Sequence, residues 1–289
     1  MNGVTPRLQP NWDWRAAGNF TFGGTGTGFL VFASIAALGG FPVRLPGLIG
    51  MAFVALGLTM VWLEIGKPWR FLNVYFHPQR SWMTREAYAA LPLFAVGGLT
   101  VLLDQPGLLL TAAALGLIFL YCQARILRAA KGVPAWRAPL LLPLILTTGL
   151  TEGACLLLIA LSLLGQMPAW PVIAAALLVV LRGFLWRDYL NRLRMGAPSE
   201  TLAVLSSFGK IFLILGHAVP LIAFILGATT PGASLYMAPA GAIFALLAGW
   251  AMKYTIVTKA AHKQGFAILH HPSRGPKGTG GPGVKPGWN

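Results

Sequence analysis

About eight stretches of this chain are long and apolar enough to cross a bilayer, and that constrains the fold more than any motif does. A spanning helix needs roughly 20 mostly apolar residues. Runs of that kind fall at 20–41, 46–65, 86–104, 107–128, 138–165, 168–187, 203–228 and 237–258. Hydrophobic residues make up 56% of the chain and charged residues 10%, with a mean hydropathy of +0.69, far from the habit of soluble domains. The expected fold is all-α: a polytopic membrane protein built as a bundle of about eight transmembrane helices. Residues 1–19 form an N-terminal segment, 20–258 the helical domain and 259–289 a Pro/Gly/Lys-rich tail too polar to bury a core of its own.

The formal net charge of +15 is a matter of topology rather than of nucleic-acid binding, because the 22 Lys and Arg form no continuous basic face. All but Arg44 and Lys210 fall before the first run, in the second, fourth and sixth gaps, or at the end of the last run. The turns near Asp104, Gln166 and Thr230 are short and carry no Lys or Arg. By the positive-inside rule both termini and the long even-numbered gaps are cytoplasmic. The N-terminus lacks the short apolar stretch and cleavage site of a secretory signal. Cys122 and Cys155 lie within apolar runs, so a disulfide framework or a Cys-ligated metal cluster is not expected.

The segment from Glu64 to Glu86 gathers Lys67, Arg70, Arg80 and Arg85 with Trp69, Phe71, Tyr75, Phe76 and Trp82. Rings interleaved with charges suit a loop at headgroup level. Glu64 ends an apolar run, where the helix dipole disfavours a carboxylate. Lys67 one turn later is its expected counter-ion, with ligand binding the other reading. The glycines of NFTFGGTGTGF lack phosphate-loop spacing, so Gly24 and Gly28 read as a GxxxG packing face, as do Gly241, Ala245 and Gly249.

Ionisable groups inside the membrane are expensive and mark functional hypotheses. Glu152, Lys210 and His217 are the candidates for proton transfer, while Arg182 reads as a snorkelling residue near a helix end. Thr148, Glu152 and Cys155 share a helical face, which would let the threonine hydroxyl serve the carboxyl. Of His77, His217, His262, His270 and His271 only His217 lies clearly inside a run, so a haem with two histidine ligands is not expected.

Four motifs, GKPWRFLN (66–73), RSWMTREA (80–87), TGLTEG (148–153) and KYTIVTKAAHKQGFA (253–267), resemble the NrfD/DmsC family. The likeness is to the membrane anchors of dimethyl sulfoxide reductase, sulfite dehydrogenase and phenylacetyl-CoA:acceptor oxidoreductase. It implies an eight-helix subunit that docks an iron–sulfur electron-transfer subunit, itself bound to a molybdopterin or tungstopterin catalytic subunit. Such an anchor exchanges electrons with a quinone, ubiquinone or menaquinone. In the dimethyl sulfoxide reductase type a histidine precedes the LG(R/K)P turn; here Glu64 stands in its place. By resemblance to polysulfide-reductase anchors, Asn19 and Tyr121 join Glu64 at the quinone, with Arg70, Trp82 and Arg85 beside them.

The sequence therefore points to a quinone-interacting membrane anchor with no haem or iron–sulfur cluster of its own. A secondary transporter with a midplane site at Glu152, Lys210 and His217 is the competing class, though its halves show no repeat. An anchor without a quinone site is the third.

Overall fold

The structure is a computed structural model that describes residues 6–65 and 67–264. Most of the 259–289 tail, including His270 and His271, lies outside the described residues, as do Gly66 and the first five residues. Among the described residues, eight helices have the length and apolarity to cross a membrane. In chain order the elements are β1 (Arg7–Leu8), α1 (Trp14–Ala37), α2 (Arg44–Glu64), a 3₁₀ segment (Pro68–Phe76), α3 (Trp82–Leu103) and α4 (Pro106–Ala129). The single turn α5 (Pro134–Arg137), then α6 (Leu141–Leu163) and α7 (Ala169–Leu193), follow. The seventh span, Ser199–Thr229, consists of α8 (Ser199–Leu213), a π turn (Ile214–Ala218) and α9 (Val219–Thr229). The eighth is α10 (Ser234–Tyr254), which runs into a second π turn (Thr255–Lys259) and ends before β2 (His262–Lys263).

α1 is the axis of the bundle, packed against α2, α4, α6 and α10, with 78% of its apolar window buried. Its glycines, alanines and threonines make this possible, since without a hydrophobic drive in lipid, helices associate by close backbone approach. At the α1–α6 crossing, a methyl group added to Gly153 would collide with the backbone of Gly28, and one added to Gly28 with Gly149. The expected Gly24/Gly28 face is therefore where two backbones touch. Gly241 likewise packs on α9, against Ala223 and Phe224.

The loops show why the ends fall where they do. Asp13 caps α1, accepting from the Arg15 backbone N–H at 2.8 Å. The same carboxyl is gripped by the Arg15 guanidinium, which holds it below the usual carboxylate range. Between α3 and α4, Asp104 takes the left-handed conformation at φ 55° and Pro106 opens the next helix, giving a two-residue turn.

Several boundaries differ from the sequence reading. α3 begins at Trp82 rather than residue 86, because Ser81 caps it by accepting from the Thr84 backbone N–H. Trp82, Arg85 and Glu86 are thus helical rather than part of a loop. α7 runs on to Leu193, well past residue 187, and carries Arg182 into the middle of a helix. The 138–165 run is preceded by the turn α5. Among the described residues the fold is all-α apart from one antiparallel pairing of two residues each, Arg7 with Lys263 and Leu8 with His262, which joins residues before α1 to residues after α10 at one end of the bundle.

Candidate functional site

Two clusters of buried polar groups stand out from the apolar packing. The first lies toward the end of the bundle that carries the termini. Asn19 of α1 donates from Nδ2 to Oε1 of Glu86 on α3 at 3.1 Å. Gln123 of α4 donates from Nε2 to the backbone oxygen and Oδ1 of Asn19, at 3.0 and 3.2 Å. Glu86 is 4% exposed, Asn19 2% and Gln123 0%. A carboxyl so removed from water requires hydrogen-bond donors, and the two amides provide that chain.

Glu86 also faces a cavity. A groove of about 290 Å³ opens between α2, the 3₁₀ segment and α3, walled by apolar side chains such as Leu58, Phe71 and Met83, with Glu86 its only carboxyl. The 3₁₀ segment is pinned over it: Tyr88 of α3 donates its hydroxyl proton to the Tyr75 carbonyl at 3.2 Å, and the two rings meet edge to face. A smaller cavity of about 30 Å³ shares the Val61, Met83 and Glu86 wall and is lined on its other side by Asn19 and Glu64. The two cavities meet at the Glu86 side chain, and the partly exposed Glu64 at the end of α2 lines the smaller one.

The structure brings Asn19 and Glu64 to one place but sets the other expected quinone residues apart. Trp82, Arg85 and Tyr121 form a surface cluster with Arg125: the Arg85 and Arg125 guanidiniums lie 4.2 and 4.3 Å from the Trp82 ring centre, and Arg125 donates to the Tyr121 hydroxyl at 2.8 Å. None of these four lines either cavity. Arg70 is exposed on the 3₁₀ segment. Lys67 is exposed too, and among the described residues no ion pair joins it to Glu64. Glu86 and Gln123 were missed as site residues. An amide alone in an apolar run was the available signal for Gln123, and an acid one turn into a helix the signal for Glu86.

The second cluster lies mid-bundle. Glu152 of α6 pairs with Lys253 of α10, Nζ to Oε2 at 2.6 Å, both fully buried. Thr25 of α1 donates to the same oxygen at 2.8 Å and in turn accepts from the Trp250 indole N–H. The hydroxyl serving Glu152 is therefore Thr25, not Thr148, whose own hydroxyl bonds back to the Leu144 carbonyl. Nor is Lys210 the cation: it is exposed on α8, and Lys253, which the charge pattern placed at the end of the last span among the surface cations, takes the role. Arg182 is the other correction. Instead of snorkelling it is 0% exposed, donating to the Ala245 carbonyl at 2.9 Å and the Gly216 carbonyl at 2.7 Å.

His217 sits in the π turn against Arg182. Its Nδ1 is 3.0 Å from the Phe212 carbonyl and its Nε2 is 3.4 Å from Arg182 Nε, so a proton on Nδ1 satisfies both contacts. The midplane trio of Glu152, Lys210 and His217 is thus not assembled. Glu152 and His217 are each held by different partners, and Lys210 is exposed on α8.

Residues 5–105 match the family model described as polysulphide reductase, NrfD. The match covers about a third of the chain and is a likeness of that stretch. The matched stretch contains α1, α2, the 3₁₀ segment and α3, and so the three walls of the groove, its carboxyl Glu86, and Glu64 of the smaller cavity. A search of curated proteins finds no match. With eight helices of spanning length and apolarity among the described residues, it is a multi-pass membrane protein.

Proposed function

We propose, from the NrfD likeness of residues 5–105 and the buried carboxyl in the groove, that this chain passes electrons and protons between the membrane quinone pool and an iron–sulfur subunit docked at the end of the bundle that carries residues 7 and 263. The observation that carries the reading is Glu86: a buried carboxyl lining an apolar groove, tied to Asn19 and through it to Gln123, and lining as well a second cavity that Glu64 shares. The groove volume of about 290 Å³ suits a single ring, near the lower end of ordinary small-molecule sites of about 300 Å³.

Quinone reduction takes up two electrons and two protons, and quinol oxidation returns them. Electrons come from, or go to, the partner's cluster, since a side-chain carboxyl moves protons only. In this reading Glu86 exchanges a proton with a quinone oxygen, and the Asn19 amide orients the carboxyl. Glu64 reloads Glu86 across the small cavity, which has room for a water of the size such relays need, about 10–15 Å³ or more. The surface cluster of Trp82, Arg85, Tyr121 and Arg125, with Arg70 nearby in sequence, then suits an acidic face of the iron–sulfur subunit better than it suits the quinone. A molybdopterin or tungstopterin subunit beyond it carries the substrate chemistry.

The test uses the assembled complex in detergent with a soluble quinone analogue. Glu86→Gln should lower quinone-linked turnover about a hundredfold, the usual weight of one positioned acid–base group, with partner co-purification and reduced-dye activity unchanged. Glu64→Gln should slow the same step less. Unaltered quinone turnover in Glu86→Gln would remove the groove from the reaction.

A further inference from the structure

A third feature, unrelated to the groove, lies at the same end of the bundle. Where α4 and α7 leave the membrane region, an open cavity of about 580 Å³ lies between the α4–α6 connection and the α7–α8 connection. Arg128, Lys131, Arg137 and Arg192 line it, together with apolar side chains that include Leu193 and Met195, and no Asp or Glu does. Among the described residues, none of the four cations has a carboxylate within ion-pair distance. Arg137 is fixed by donating to the Gln264 side chain at 2.7 Å and to the Lys131 carbonyl. Arg128, Lys131 and Arg192 are exposed.

Four like charges round one cavity repel each other unless an anion joins them. We propose that this cavity binds the phosphate of an anionic phospholipid from the bilayer the chain spans. Depth argues for a lipid: the cations stand at or just beyond the last residues of two spanning helices, the headgroup level, where basic pockets between helices take anionic lipids. The lining argues for it as well, because the apolar portion, with Met195 77% exposed, offers contact to the glycerol and upper acyl chain that a free ion would not use.

The test is native mass spectrometry of the detergent-purified full chain, or of its complex if it purifies as one. Phosphatidylglycerol, phosphatidylcholine and inorganic phosphate are titrated separately. Phosphatidylglycerol should remain bound where phosphatidylcholine does not, and millimolar phosphate should fail to displace it. The triple variant Arg128→Gln/Lys131→Gln/Arg192→Gln should lose tenfold or more in phosphatidylglycerol affinity, by roughly the weight of several headgroup-level charges. Arg7→Gln/Arg80→Gln/Lys259→Gln, which removes as much charge from exposed positions elsewhere, should retain it. Equal retention of both lipids, equal loss in both variants, or displacement by phosphate would overturn the proposal. So would a triple variant that keeps its lipid but drops a co-purifying subunit. Circular dichroism of each variant excludes unfolding as the cause of any loss.

Discussion

At the scale of single residues, the most demanding feature is the pairing of Glu152 with Lys253 in the middle of the bundle. Two opposite charges removed from water hold together only while both remain, so truncating one strands the other. Lys253→Met should cost roughly 3–5 kcal/mol, whereas Lys253→Met with Glu152→Leu, which removes both charges, should fall within about 1–2 kcal/mol of the parent. Thermal unfolding in detergent should rank the variants in that order, and additive losses would show that the two groups stand independently. Of this pair only Glu152 was legible in the sequence, as the sole acid of its apolar run. Lys253 lay in a basic stretch at a helix end, and nothing in its neighbours distinguished it from a surface cation. The contact is made across more than a hundred residues of chain. The same holds for Arg182: whether an arginine snorkels or is buried depends on whether carbonyls await it, and Ala245 and Gly216 lie on other helices.

Secondary-structure elements show what supplied one of those carbonyls. A π turn lets a backbone oxygen fall out of the helical ladder, and unpaired carbonyls in lipid must be satisfied within the protein. Gly216 lies in such a turn, and Arg182 takes its oxygen. No periodicity announces a turn of this kind, so the seventh span was readable as one helix and its break was not. The helix–helix crossings were more legible, because small residues four apart need no partner's identity to be recognised. They also lead to a graded prediction. Gly153→Val should abolish the folded yield of the chain, since its Cβ would occupy the place of the Gly28 backbone. Gly98→Ala, on an open face of α3 with nothing near, should be neutral or stabilising by up to about 1 kcal/mol. Gly249→Ala should lie between them, as its added methyl meets Glu152 Oε1 at 2.6 Å and the flexible Arg182 end at 3.1 Å. Fluorescence-detected size exclusion of tagged variants would order the three, and a well-folded Gly153→Val would show that α1 and α6 do not cross there.

For the whole molecule, an even number of spans puts both ends on one side, and the Arg7–Lys263 and Leu8–His262 pairing ties them together. Burial of Arg182 and Lys253 removes two cations from the original charge pattern without altering its sense. Arg70, Arg80, Arg125, Arg128, Lys131, Arg137 and Arg192 remain exposed or partly exposed at the same end. At the opposite end Arg44 sits 3.3 Å from Asp104, a surface pair of little energetic weight that nevertheless leaves that end, among the described residues, with no unmatched cation. Charge bias of this kind orients membrane proteins with the basic end in the cytoplasm. In intact cells, cysteines introduced at Gln166 or Thr230 of a Cys122→Ala/Cys155→Ala background should therefore react with an impermeant maleimide. Cysteines at Arg80 or Lys259 should react only after the cells are opened. The reverse pattern would put the groove mouth, Glu64 and the basic cavity on the outer side, and an iron–sulfur partner would then have to be an exported protein. Labelling thus decides the orientation and, with it, the compartment in which the partner must fold.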